Sequence, residues 1–274
     1  MHIAYIHQYF STHEGTTGTR SYEMSRRLIA AGHRVTMVCG VSDNSPAILR
    51  GNRRVNELEV DGIRVLCVTE PYSNKMGPLR RIMAFGRFAR EATRIVSRLD
   101  ADLVFATSTP LTVGIPGMKA ARRLGVPFVF EVRDLWPEMP IAIGALRNPL
   151  LKALARALEW LAYHASAHII ALSPGMAEGV YRRGISHHRV TVIPNFSDLA
   201  LFSRANSNGV SIRTQLDMKP NQPLIVYAGS FGLLNDVDYL VDVAYEMGSL
   251  LPDARFLIVG NGANKDQIVQ RASE

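Results

Sequence analysis

The first forty residues, Met1–Gly40 (MHIAYIHQYFSTHEGTTGTRSYEMSRRLIAAGHRVTMVCG), spell out a strand, a helix and a second strand. Ile3 to His7 is an apolar run of strand length, and a loop rich in Gly and Thr follows it. From about Thr19 to Ala31, Met24, Leu28 and Ala31 recur on one helical face. Gly32-His33 stops the helix, and Val35 to Cys39 reads as the next strand. A strand–helix–strand run is the sequence form of a crossover between parallel strands, so the stretch predicts an α/β protein.

The same alternation continues outward. Val55–Val60 and Ile63–Val68 flank Asp61-Gly62, a hairpin turn signal. An amphipathic helix is expected from about Pro78 to Leu99, with Ile82, Phe85, Ala89, Ala92 and Val96 on its apolar face. Leu103–Ala106 with a helix over Leu111–Leu124, then Phe128–Val132 with the stretch after Asp134, make two more strand–helix pairs. Pro149 opens a long helix to about His164, His168–Leu172 is a strand, and Ser173-Pro174 caps the next helix. Val190–Ile193 ends the run.

A Gly/Asn/Ser-rich segment, Ser203 to Gly209, reads as a linker. Beyond it come Leu224–Ala228 (strand), Val237–Leu250 (helix), Phe256–Val259 (strand) and a final helical start. The expected organisation is a Rossmann-like domain over 1–198, then a linker and the first part of a second such domain over 199–274. A doubly wound second domain would need about as many residues as the first.

The composition narrows the classes. Hydrophobic residues make up 47% of the 274, which suits a packed core rather than a disordered chain. No apolar run reaches the ~20 residues of a membrane span. Met1–Ile6 passes into a strand without a basic leader, which predicts a cytoplasmic protein. The two cysteines, Cys39 and Cys67, sit in apolar runs and read as buried thiols. The eight histidines form no metal-binding spacing, so no metal is expected. The net charge of +7 invites phosphorylated ligands, acidic lipid or nucleic acid.

Four constellations carry candidate chemistry. Gly15-Thr16-Thr17-Gly18-Thr19-Arg20 lies between strand and helix, where free N–H groups and the helix dipole attract phosphate and Arg20 could grip it. The alternative is an ordinary turn with Thr19 as N-cap. It is not G-x-G-x-x-G, and no acidic residue ends the second strand, which argues against a nicotinamide dinucleotide. Glu131 to Glu138 (EVRDLWPE) follows a strand at the edge where α/β ligands sit; substrate binding and an Arg133–Asp134 or Arg133–Glu138 ion pair are equal readings. Ile193-Pro194-Asn195 is sufficient as a hinge between domains. Ala228-Gly229-Ser230 and Val259-Gly260-Asn261-Gly262 end strands with glycines that would let a ligand approach closely.

Taken in order, these motifs, together with Gly32-His33-Arg34-Val35 and Asp61-Gly62-Ile63-Arg64-Val65, resemble the retaining GT-B glycosyltransferases of family 4. The likeness is to the branch that assembles bacterial surface polysaccharide and O-antigen, and is similar to fucosamine-type transferases. It implies a nucleotide-diphosphate sugar donor held mainly by the second domain and a glycan or lipid-linked hydroxyl acceptor on the first. On that resemblance Gly15, Thr16, Gly18, Thr19 and Arg20 face the donor diphosphate, and Asp134 stands beside the reacting sugar. Arg133, Glu138 and Asn195 contribute to substrate binding, while Gly229, Ser230, Gly260 and Gly262 line the nucleotide. The family transfers with retention, without a metal and without an obvious protein nucleophile.

Many relatives carry His where Arg133 stands, and Arg and Lys-Gly near Phe231 and Asn235-Asp236. Their E-x7-E segment is expected beyond Glu274. A truncated relative without turnover and a sugar-nucleotide epimerase of the same architecture are the alternatives.

The helix Pro78–Leu99 carries Arg80, Arg81, Arg87, Arg90, Arg94 and Arg98 against Glu91. A surface helix packed on the sheet is the plain reading; the sharper one is a peripheral contact with anionic lipid at the inner face of the plasma membrane. The basic residues lie without interleaved aromatics, so nucleic acid is not expected.

Overall fold

The computed structural model describes residues 1–15, 18–41, 45, 49, 51, 53–70, 72, 76–144, 146–199, 202–203, 209–232 and 235–274. The chain divides into two compact units, Met1–Phe196 and Ser197–Glu274. The linker expected over 203–209 lies almost wholly outside the described residues.

In the first unit eight strands form one sheet in the order β3-β4-β2-β1-β5-β6-β7-β8. They are β1 (His2–Ile6), β2 (Arg34–Gly40), β3 (Val55–Val60), β4 (Ile63–Val68), β5 (Leu103–Thr107), β6 (Phe128–Val132), β7 (His168–Ala171) and β8 (Val190–Val192). All neighbours are parallel except β3, which pairs antiparallel with β4 at the sheet edge. The turn between those two strands holds Asp61 at φ 49° and Gly62 at φ 78°. Two consecutive positive φ values are what a two-residue primed hairpin turn requires, and the Asp-Gly pair tolerates them.

Side chains of one strand enter two cores. Ala4 and Ile6 of β1 pack with Val38, Val104 and Phe130 under three helices of one face, α2 (Pro78–Val96), α3 (Gly114–Leu124) and α5 (Pro149–Ala165). Ile3 and Tyr5 pack with Met37, Val65 and Phe105 on the other face, beneath Tyr22 and Leu28 of α1 (Arg20–Ala30). The period of two along the strand produces this division, and burial on both faces explains why the strands read as continuous apolar runs.

Two helical readings change. The face that α2 buries is Ala84, Phe88, Ala89, Ala92 and Val96, whereas Ile82 is 48% exposed. At 100° per residue Ile82 lies about 160° from Ala84 and about 120° from Phe88, at the margin of the buried arc beside Ala89. The single helix expected over Leu111–Leu124 is a 3-10 turn, Leu111–Val113, running into α3 at Gly114. After β6 a short helix, α4 (Glu138–Ala142), precedes α5, and α6 (Pro174–Tyr181) starts as expected, the Ser173 hydroxyl accepting from the Met176 N–H.

The second unit holds α7 (Gly209–Gln215), the parallel pair β9 (Leu224–Ser230) and β10 (Arg255–Asn261), α8 (Asp238–Leu250) and α9 (Lys265–Ser273). Phe231, Val237 and Ile268 form its core. Its glycines accommodate the chain itself. A Cβ on Gly260 would lie 2.0 Å from the Gly229 carbonyl oxygen, and one on Gly262 would lie 2.4 Å from that of Phe231. Backbone cannot yield as a side-chain tip can. Gly262→Ala is therefore expected to cost about 1–3 kcal/mol, read as a lowered urea midpoint of the second unit's helical signal.

Candidate functional site

The carboxyl ends of β1, β5, β6 and β8 lie along one edge of the first unit's sheet, beside the start of α1. Parallel strands bring their last residues together, so segments far apart in sequence meet there. His7 follows β1, Ser108 and Thr109 follow β5, Arg133 and Asp134 follow β6, and Ile193-Pro194 follow β8.

Glu131, one residue before the end of β6, is fully buried. Its Oε1 accepts from Arg20 Nε at 3.0 Å and Nη2 at 2.9 Å, and its Oε2 accepts from the Thr107 hydroxyl at 2.5 Å. Arg20 also donates to the Pro194 carbonyl from Nη1 at 2.7 Å and to the Ile193 carbonyl from Nη2 at 2.8 Å. The side chain of Arg20 is only 4% exposed. The expectation that Arg20 reaches out to grip a phosphate is therefore corrected. Its charge is held by Glu131 and its fork ties the start of α1 to the chain leaving β8. Phe196 covers the guanidinium with its ring centroid 5.4 Å away.

Arg133 is held differently. Neither ion pair considered for it forms: among the described residues no carboxylate pairs with Arg133. Asp134 accepts instead from the Thr109 hydroxyl at 2.7 Å, and exposed Glu138 pairs with Arg183 at 3.0 Å. The Arg133 main-chain N–H donates to the Ser108 hydroxyl at 3.0 Å. Its Nη1 lies 3.2 Å from His7 Nε2, and a Cβ on Gly18 would lie 3.6 Å from its Nη2. A half-buried guanidinium thus stands over the glycine that precedes α1.

Buried His7 joins that guanidinium to α1. Its Nδ1 lies 2.6 Å from the Ser21 hydroxyl. A guanidinium only donates, so Nε2 accepts and the ring proton sits on Nδ1, donated to Ser21. Burial first, and the Arg133 charge second, hold the His7 pKa well below its ordinary value. The imidazole is neutral, and it orients Arg133 without neutralising it.

The sign of the resulting pH dependence follows. The unfolded chain protonates His7 near pH ~6.5, while the folded chain resists, so this group removes stability as pH falls below that value. His7→Gln is expected to flatten the thermal midpoint between pH 7 and 5, measured by calorimetry; an unchanged acid slope would sink the assignment.

The remaining sequence candidates divide. Gly15 donates to the Thr12 carbonyl at 3.0 Å, and Gly18 is exposed. Thr19 stands at the N-cap of α1 with no side-chain cap hydrogen bond, so its hydroxyl does not cap the helix as the turn reading had it. Thr16 lies outside the described residues. Asn195 is exposed. In the second unit Gly229 lies opposite Gly260 across the β9–β10 ladder, and exposed Ser230 donates to the Asn235 side chain at 3.1 Å. The glycines there serve close backbone packing.

His7, Ser21, Thr107, Ser108 and Thr109 were not singled out from the sequence. Glu131 was legible as a lone carboxylate inside the apolar run Phe128–Val132, a placement that demands a buried cation.

The family pattern described as "Glycosyl transferase 4-like domain" matches residues 15–195. WcaI of Escherichia coli (strain K12), named for glycosyl transfer in colanic acid biosynthesis, is 24% identical over 204 residues, 72% of this chain and 49% of its own. The alpha-galactosylglucosyldiacylglycerol synthase of Streptococcus pneumoniae (strain ATCC BAA-255 / R6) is 28% identical over 119 residues, 43% of this chain and 31% of its own. The chain thus spans at most about half the length of these curated relatives.

Among solved structures, sucrose-phosphate synthase from Thermosynechococcus elongatus aligns with TM-score 0.72 at 16% identity, over 99% of this chain and 68% of its own. Anabaena Alr3699/HepE, solved with UDP and glucose, aligns with TM-score 0.64 at 17% identity, over 100% of this chain and 66% of its own. These likenesses establish the α/β fold of GT-B type. With well over half of its residues inside the family pattern, the chain belongs to the glycosyl transferase 4-like domain family.

Proposed function

We propose that this chain is the acceptor-side domain, with part of the donor-side domain, of a retaining glycosyltransferase. It moves a sugar from a nucleotide-diphosphate donor to a hydroxyl of a glycan or lipid-linked acceptor in bacterial surface-polysaccharide assembly. The observation that carries the reading is Arg133, a cation without a carboxylate partner among the described residues, held by neutral His7 over Gly18 at the start of α1.

Glycosyl transfer to a hydroxyl leaves a nucleoside diphosphate, on which negative charge develops. A guanidinium preset beside a helix N-terminus stabilises that charge without reorganising. Asp134, fixed by Thr109, lies next in the chain and stands beside the reacting sugar. The step uses no metal ion. Gly229, Ser230, Gly260 and Gly262 stay on the nucleotide side. The work is cytoplasmic, with Arg-rich α2 resting on the anionic inner leaflet; Arg87 and Arg94 are already paired with Glu70 and Glu91, so its contact falls to the start of the helix.

Titration calorimetry with UDP, GDP and their sugars tests the reading, followed by product analysis with a hydroxyl acceptor. Binding with sugar transferred supports it. No binding to any donor, by this chain or by a longer version, sinks it, and a donor returned with one inverted sugar carbon identifies an epimerase instead.

A further inference from the structure

Helix α5 carries a second apolar stripe on its outward face. Glu159, Ala162 and Tyr163 are the side chains it buries, and Glu159 is paired with Arg183 at 3.0 Å. Leu150 is 66% exposed, Leu154 57%, Trp160 51% and Leu161 50%. With exposed Ala153 and Ala157 they fall within roughly 120° of helical arc at 100° per residue, and they run for about 16 Å along the axis. A surface helix ordinarily turns a polar face outward. Trp160 marks one margin of the stripe, stacked on His164 with ring centroids 4.1 Å apart, and exposed Arg156 lies beyond it.

The charges around the stripe select its occupant. Arg156 borders it, Arg147 stands exposed just before the helix, and the one carboxylate of α5, Glu159, is buried. Two copies meeting face to face would confront like charges with nothing on the helix to neutralise them, in a chain of net charge +7. An anionic surface offers the complementary sign. The same helical layer holds α2, whose first turns expose Leu79, Ile82 and Met83 beside Arg80. As crossover helices between parallel strands, α2 and α5 both begin at the carboxyl edge of the sheet.

We propose that the outward face of α5 docks on an anionic bilayer surface. Leu150, Leu154, Trp160 and Leu161 enter the boundary between headgroups and acyl chains, and Arg156 meets the headgroup phosphates. This inference rests on the face of α5 alone and stands whether or not the chain transfers sugar.

Trp160 is its own reporter, because the chain has two tryptophans and Trp136→Phe leaves one. Vesicles of phosphatidylglycerol and phosphatidylcholine are expected to shift Trp160 emission to the blue, and brominated lipid to quench it. Vesicles of phosphatidylcholine alone should do neither at low salt. Leu154→Glu/Leu161→Glu, at exposed positions and with folding checked by circular dichroism, should weaken sedimentation with anionic vesicles by at least about ten-fold. Arg156→Glu should reduce the preference for anionic over neutral vesicles. Co-sedimentation with a silent Trp160 would place the contact elsewhere and overturn the proposal. So would a blue shift that appears without vesicles, grows with protein concentration and accompanies a dimer in analytical ultracentrifugation.

Discussion

Glu131→Ala is expected to destabilise the first unit by about 3–5 kcal/mol, the loss seen when one partner of a buried ion pair is removed. Arg20 is 4% exposed at its side chain and cannot reach water without withdrawing from the Ile193 and Pro194 carbonyls. Its charge would remain buried, the Thr107 hydroxyl would lose its acceptor, and the chain leaving β8 would lose its tie to α1. Both tryptophans, Trp136 and Trp160, lie in the first unit, so the urea midpoint of tryptophan emission reports its stability. The paired replacement Arg20→Met with Glu131→Leu should recover much of the loss, since apolar residues of similar volume can replace a buried pair at little cost. A Glu131→Ala loss below about 1 kcal/mol would show that the pair contributes little.

The second large effect separates function from folding. Arg133→Met is expected to lower turnover by about 100- to 1000-fold, the range found when one preorganised donor to a developing anion is deleted. The affinity for nucleoside diphosphate, read by calorimetry, should fall with it. Stability should change by no more than about 0.5–1 kcal/mol, because no described carboxylate depends on Arg133 and its main-chain bond to Ser108 survives the substitution. Arg133→Lys should rescue only part of the loss, since an ammonium on a flexible stem cannot meet His7 and a diphosphate in one plane. Equal activity in wild type and Arg133→Met would remove Arg133 from the site.

These two arginines show where reading from sequence stops. Both sit in short motifs beside small or acidic neighbours, and both suit a phosphate equally well. One is neutralised by Glu131, 111 positions away, and the other is not. Burial decided between them, and burial depends on which strands lie side by side. In the same way Ile82 and Phe88 both look apolar along α2, yet only Phe88 faces the sheet.

The sequence by itself determined the α/β class, the positions of the strands and of most longer helices to within a few residues, the Asp61-Gly62 hairpin and the edge where the first unit's motifs gather. Those features follow from local periodicity, turn chemistry and the burial of both sheet faces, which a few neighbouring residues encode. The tertiary structure alone decided that Arg20 is a buried tie, that Arg133 has no carboxylate partner among the described residues and is held by a neutral His7, and that α5 turns an apolar stripe outward. Each of these depends on a partner contributed by a distant strand or on the side a helix presents to the sheet. A solvated and a desolvated charge share the same letter in the sequence and differ only in what the fold packs against them.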